Sequence, residues 1–284
     1  MTSRPALSDR PATLRGATAR PSAWRSNLNL TRELAVTTFK LKYTGSVLGY
    51  AWSLVKPLLI FGMTYLVFAV FLLRGRTSAA ENFPVQLLIG IVVWTFIADA
   101  TGSSVSAIAG NAHILRKAYF PRWILVVAST LSATMTLAVN IALVLLVGIP
   151  LGWFHLGLQT LLLPLLFFEL YLFVVGIGML LSALFVFYRD LGHVWEILLQ
   201  LLFYASAIVF PFGLVPQRFR VLMAFNPIAQ IIEDMRRALV TPLIPWSGDV
   251  LGWLLVVPCA AVCIIFGLGF LVFHRLSPKF GEAL

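Results

Sequence analysis

Three carboxylates, Asp99, Glu169 and Glu196, sit inside or at the edge of long apolar stretches. An ionised carboxylate in hydrocarbon costs at least about 2.5 kcal/mol, so each must face a partner, a bundle interior or a wetted path. They are therefore candidates for a polar translocation path, with plain helix-to-helix hydrogen bonding as the alternative. Aromatic side chains make up 13% of the chain. The C–H faces of sugars stack on aromatic rings, which makes Trp52, Tyr65, Phe68, Phe203 and Tyr204 candidates to line a channel for carbohydrate. Most of the other rings serve lipid packing and the interfacial belt. A third group, Arg116, Lys117 and Arg122 with Tyr119 and Phe120, mixes cations and rings in the way that docks a soluble partner. Anchoring at a membrane surface is its other use.

A catalytic set is missing from this sequence. No stretch matches G-x-x-x-x-G-K-[ST], H-E-x-x-H, G-x-S-x-G or a paired C-x-x-C. The histidines His113, His155, His193 and His274 are scattered, which disfavours a metal cluster. Cys259 and Cys263 lie four apart in an apolar run and read as ordinary thiols on one helix face. No metal and no cofactor is expected in this chain.

The elements that position these residues follow from composition. With 60% hydrophobic residues, 11% charged and a mean hydropathy of +0.93, the chain has more apolar surface than one aqueous core can hide. Continuously apolar runs, rather than alternating ones, call for membrane-spanning helices of about 20 residues. Six spans are expected, at about 47–73, 84–108, from 123 to before Pro150, 160–187, 193–212 and 250–273. Residues 1–27 lack an apolar run and read as a mobile cytoplasmic tail, not a signal peptide. Residues 28–43 read as an interface helix with Leu30, Leu34 and Leu41 on its apolar stripe. Residues 213–249 hold the Asn226-Pro227 break and the charged residues Glu233, Asp234, Arg236 and Arg237. Two short helices that dip toward the membrane and return fit this segment, as does a surface hairpin.

Of the 21 lysines and arginines, two thirds lie before Thr44, in 110–122, at Arg189 or after His274. That side should be cytoplasmic, with both termini inside. The net charge of +10 is parcelled among short loops, so nucleic acid is not an expected partner.

Several motifs resemble one family: LKYTGSVLGYAWSLVKP at 41–57, GIVVWTF at 90–96, GNAHILRKAYFPR at 110–122, FYRD at 187–190, FNP at 225–227 and RLSPKF at 275–280. They are similar, in the expected order, to the permease subunits of ATP-binding-cassette exporters for bacterial polysaccharides, the O-antigen and wall-teichoic-acid group. Lys56 departs from the family pattern, which more often has Asn before that proline.

The resemblance implies a homodimer of six-span subunits in the bacterial inner membrane, flanked by two copies of a separate ATPase that binds ATP and Mg. Its implied substrate is a polyprenyl-diphosphate-linked polysaccharide. Lys40, Lys42, His113, Arg116, Lys117, Tyr119, Phe120 and Arg122 would then face the ATPase, and Phe219, Phe225, Asn226 and Pro227 would belong to short external gate helices. The competing expectations are a stand-alone membrane enzyme acting on lipid-linked sugars and a drug or lipid exporter of the same superfamily.

Overall fold

The computed structural model describes residues 23–45, 49–68, 82–117, 120–154, 157–209, 212, 215–241 and 244–283, and not the side chains of Ala23, Tyr50, Arg116, Lys117, Gln217 and Glu282. The stretch assigned to the tail before residue 23, residues 74–81 between the expected first and second spans, His155 and Tyr119 lie outside the described residues. All regular structure described is helical: α1 Ala23–Tyr43, α2 Trp52–Tyr65, α3 Phe83–Val105, α4 Ala112–Lys117, α5 Trp123–Gly148, α6 Leu163–Phe185, α7 Leu191–Ala205, α8 Gln217–Ala224, α9 Pro227–Leu239, α10 Ser247–Leu251, α11 Val256–Leu276 and α12 Phe280–Ala283.

Among the described residues, four helical runs are long and apolar enough to cross a membrane: Phe83–Val105, Trp123–Gly148, Leu158–Phe185 and Ser247–Lys279. Trp52–Phe68 and Leu191–Ala205 are apolar but shorter. The 15 residues of α7 cover about 22 Å at 1.5 Å per residue, less than a hydrocarbon core of about 30 Å. The expected fifth span, 193–212, is thus helical only to Ala205. The first begins at Trp52, five residues later than expected, and its continuation beyond Phe68 is not described.

Helix α3 is central. It is buried without interruption from Leu87 to Ile97, as a helix that is apolar all round should be. Helices α2, α5, α6, α7 and α9 all pack on it. Its hydroxyls are satisfied locally or across helices: Thr95, Thr101 and Ser104 donate to the carbonyls of Ile91, Ile97 and Ala100, each at 2.7 Å. Ser104 also lies 3.1 Å from Ser129 of α5, and Trp195 Nε1 of α7 donates to Thr101 at 3.1 Å. In a bilayer such bonds replace the water these groups would otherwise need.

Small residues set the closest approach. A Cβ at Gly176 of α6 would lie 2.6 Å from the Phe266 Cα of α11, and one at Gly269 would collide with the Gly176 carbonyl. Gly178 serves a similar contact with Ser104, whereas Gly267 faces open space. The registers of α6 and α11 decide which glycine of the 267/269 pair meets the partner.

Helix α1 starts five residues before the expected interface helix and packs along α5. Its buried positions are Thr31, Ala35 and Tyr43, with Phe39 half-buried between them, a four-residue spacing. Of the expected leucine stripe, Leu30 and Leu34 are half-buried, Leu34 against the cluster at the connector end, and Leu41 is 67% exposed. Close lateral packing selects the small residues Thr31 and Ala35, which hydrophobicity alone passes over.

Candidate functional site

Two sites emerge at opposite ends of α3. At the connector end, α1, α4, the start of α5 and the C-terminal turn share one apolar cluster. It contains Leu34, Leu115, Phe120, Trp123, Phe273 and Phe280, and Arg122 caps it with its guanidinium 5.7 Å from the Phe280 ring centre. Phe120 is thus half-buried packing here, while Lys40 and His113 are exposed. Arg116 and Lys117 fall on α4, but their side chains, like Tyr119, are outside the described set. Lys42 Nζ forms an ion pair with the Asp99 carboxylate of α3. Next to it the buried Tyr43 hydroxyl lies 3.3 Å from Thr136 Oγ1 of α5.

At the far end, α9 turns its charged face inward. Pro227 occupies the first turn, where its missing N–H costs nothing, and Asn226 is the N-cap, its Oδ1 accepting from Ile228 N at 3.0 Å. The Asn226 Nδ2 donates the other way, to Ala205 O at 3.2 Å and Ser206 Oγ at 3.0 Å. One side chain thus starts α9 and satisfies the frayed carboxyl end of α7.

Arg236, fully buried, completes that end. Its Nε donates to Gln86 O of α3 at 2.8 Å, Nη1 to Ala207 O at 2.8 Å and to Glu233 Oε2 at 3.0 Å, and Nη2 to Ile208 O at 2.6 Å. Glu233, also fully buried, accepts from Phe212 N at 2.9 Å on its other oxygen. Ala207 adopts φ +54°, a left-handed conformation that turns the chain out of α7. Burial pushes the Glu233 carboxyl above its ordinary range, and Arg236 and the Phe212 N–H pull against it. Gly90 leaves room for the guanidinium, since a Cβ there would sit 2.5 Å from Nη2 and 3.0 Å from Ile208 O.

The same helix is tied to α10 through Asp234, which accepts from Ser247 N at 2.8 Å and from Gln230 Nε2 at 2.9 Å. Glu169 of α6 faces Gln230 and Cys259, with one carboxyl oxygen buried and unpartnered among the described residues.

The aromatic candidates are not gathered in one cavity. Trp52 is exposed at the start of α2, Tyr65 stacks on Phe61 at 5.7 Å, and Phe68 is half-buried. On α7, Phe203 meets Trp94 edge-on at 5.7 Å while Tyr204 is 71% exposed. None of the eight path candidates lines the cavity of about 260 Å³ between α2, α3 and α5, whose walls include Leu58, Val92, Asn140 and Trp153. Glu196 lies on the exposed face of α7 beside His193. Of the gate residues, Phe219 is exposed beneath Arg218 and Phe225 is half-buried.

Glu233 and Arg236 carry no role on sequence grounds alone, because charges spaced i, i+3 on an amphipathic helix ordinarily face water. The available signal was the Asn-Pro start followed by charges among long apolar neighbours, together with a glycine in the second apolar stretch.

A sequence profile of the ABC-2 type transporter family matches residues 29–240, most of the described helices. The chain belongs to the ABC-2 type transporter family. It is 27% identical over 251 residues, 86% of this chain and 91% of the other, to the O-antigen export system permease protein RfbA of Klebsiella pneumoniae. The permease of the same name from Myxococcus xanthus is 25% identical over 197 residues, 69% of this chain and 74% of that one. The polysialic acid transport protein KpsM of Escherichia coli is 26% identical over 196 residues, 67% of this chain and 73% of its own length. The profile covers the Lys42–Asp99 and Glu233–Arg236 pairs, while Phe273 and Phe280 of the connector-end cluster lie beyond it. This ABC-2 family chain is a multi-pass membrane protein, and its two polar sites lie on helices held by α3.

Proposed function

We propose that the chain is the permease subunit of an ATP-driven exporter that moves polyprenyl-diphosphate-linked polysaccharide across the bacterial inner membrane. The observation that carries this reading is the similarity to O-antigen export permeases over 86% of the chain. ATP hydrolysis belongs in this reading to a separate subunit, in keeping with these 284 residues holding no phosphate-cradling G-x-x-x-x-G-K-[ST] loop.

In this reading six segments cross the bilayer, α2 and α7 being the short first and fifth, and both termini are cytoplasmic. Helices α8 and α9 dip into the outer face and return, which a buried Arg236 supports: it satisfies the backbone of the broken segment after Ala205 without water. Two copies of the chain pair through exposed apolar faces such as Leu59 and Met63 of α2 and Ile197 and Leu201 of α7. Two ATPase copies engage the exposed face of α1 and the connector around α4. The path between subunits is walled in part by Trp52 and Tyr204, with the glycan stacking on rings and the lipid passing sideways.

The test is reconstitution. The chain is purified with its ATPase in nanodiscs or vesicles and given a polyprenyl-diphosphate oligosaccharide, and translocation is followed with and without ATP. ATP-dependent transfer by the complex, lost in Tyr119→Ala or Arg116→Ala through weaker ATPase recovery, is the expected result. Turnover of lipid-linked sugar by the chain alone, without nucleotide, points instead to the enzyme alternative and defeats the proposal.

A further inference from the structure

Lys42 and Asp99 look, from sequence, like residues with different tasks, one facing a motor and the other a substrate path. The structure pairs them: Lys42 Nζ meets the Asp99 carboxylate across 57 residues of sequence. Asp99 lies in the last two turns of α3, and a carboxylate on so apolar a helix is held there by a counter-charge. Lys42 supplies it.

The two ends of α1 have different surroundings. Arg32, Glu33, Thr37, Thr38 and Lys40 are exposed, a polar surface suited to a soluble partner. At the final turn Tyr43 is buried against Thr136 of α5, and Lys42, itself partly exposed, is joined to α3. Between them Thr31 and Ala35 let the helix lie close along α5. A hydrogen-bonded helix keeps its length, so a push on the exposed part arrives at Tyr43 and Lys42 as displacement. Helix α3 receives it, and its other end carries Gln86 and Gly90, the seat of the Arg236 guanidinium.

We propose that the Lys42–Asp99 ion pair is the joint that passes movement of α1 into α3. Lys42 and Asp99 are then positioning residues for transport, touching neither the ATPase nor the glycan. This rests on the exporter reading above.

The test uses the full exporter, chain plus ATPase in nanodiscs or vesicles, with a polyprenyl-diphosphate oligosaccharide as probe, and reads glycan moved per ATP hydrolysed. Lys42→Gln and Asp99→Asn are each expected to lower that ratio at least about fivefold, the lower end of typical coupling between sites. The exchanged pair Lys42→Glu/Asp99→Lys is expected to return it to within about twofold of wild type. Single variants that keep the wild-type ratio, or an exchanged pair no better than the worse single variant, overturn the joint.

Should a single variant fail to assemble, Lys42→Cys/Asp99→Cys is bridged by a bis-methanethiosulfonate reagent, each cysteine thiolate displacing methanesulfinate to form a reductant-cleavable disulfide, in a Cys259→Ala/Cys263→Ala background. The bridged form is expected to couple and the cleaved form to lose coupling; equal ratios before and after cleavage overturn the proposal. The two readings fail separately: a wild-type complex that hydrolyses ATP without moving glycan defeats the exporter assignment, while a normal wild-type ratio with unaltered variants defeats the joint alone.

Discussion

Replacing Arg236 with Met keeps most of the side-chain length and removes a fully buried guanidinium. The carbonyls of Gln86, Ala207 and Ile208 and one oxygen of Glu233 lose their donor. A buried acceptor stripped of its donor costs about 1–3 kcal/mol, and breaking a buried ion pair by removing one partner costs about 3–5 kcal/mol. These terms do not simply add, because Glu233 can take up a proton and the Gln86 carbonyl keeps its place in the helix. A loss of about 4–6 kcal/mol is the expected result.

At roughly 2–4 °C per kcal/mol for a chain of this size, the midpoint of thermal unfolding falls by about 8–24 °C. The assay is a fluorescence-detected melt of the purified chain in detergent, beside Glu233→Met/Arg236→Met. The double variant should lose less than Arg236→Met alone, since removing both charges leaves no orphan carboxylate. A single variant within about 2 °C of wild type, or a double variant less stable than the single, refutes the claim that this pair anchors α9 to α3 and the end of α7.

Gly90→Ala places a methyl group 2.5 Å from Arg236 Nη2 and should cost about 1–3 kcal/mol in the same melt, with less than additive loss in the Arg236→Met background. Gly269→Val should sharply reduce the yield of folded chain on size-exclusion chromatography by prising α11 from α6, while Gly267→Val, which meets nothing within 4 Å, should leave it near wild type. Asn226→Ala loses both the cap of α9 and the donor to Ala205, so a fall of about 1–2 kcal/mol is expected. Asn226→Asp, which keeps the capping oxygen alone, should recover part of that loss, and equal melts for the two variants would show that the α7 end does not depend on this side chain.

The helical class, the membrane setting and the absence of a phosphate-cradling motif were legible from residues 41–280, because hydropathy and motif spacing are local properties. The Asn226-Pro227 start of α9 was equally legible, since a cap and a fixed φ act within one turn. Helix ends were less so: α7 stops at Ala205 rather than running to 212, Ala207 turning left-handed while Asn226 and Arg236, from later in the chain, take the carbonyls of Ala205, Ala207 and Ile208. Periodicity assigned α1 a leucine stripe, while packing against α5 selected Thr31 and Ala35. The partnership of Lys42 with Asp99 and the inward turn of Glu233 and Arg236 could come only from the tertiary structure. A charge in a sequence states only that a counter-charge or water must be near, and which one is supplied depends on helices brought together from distant parts of the chain.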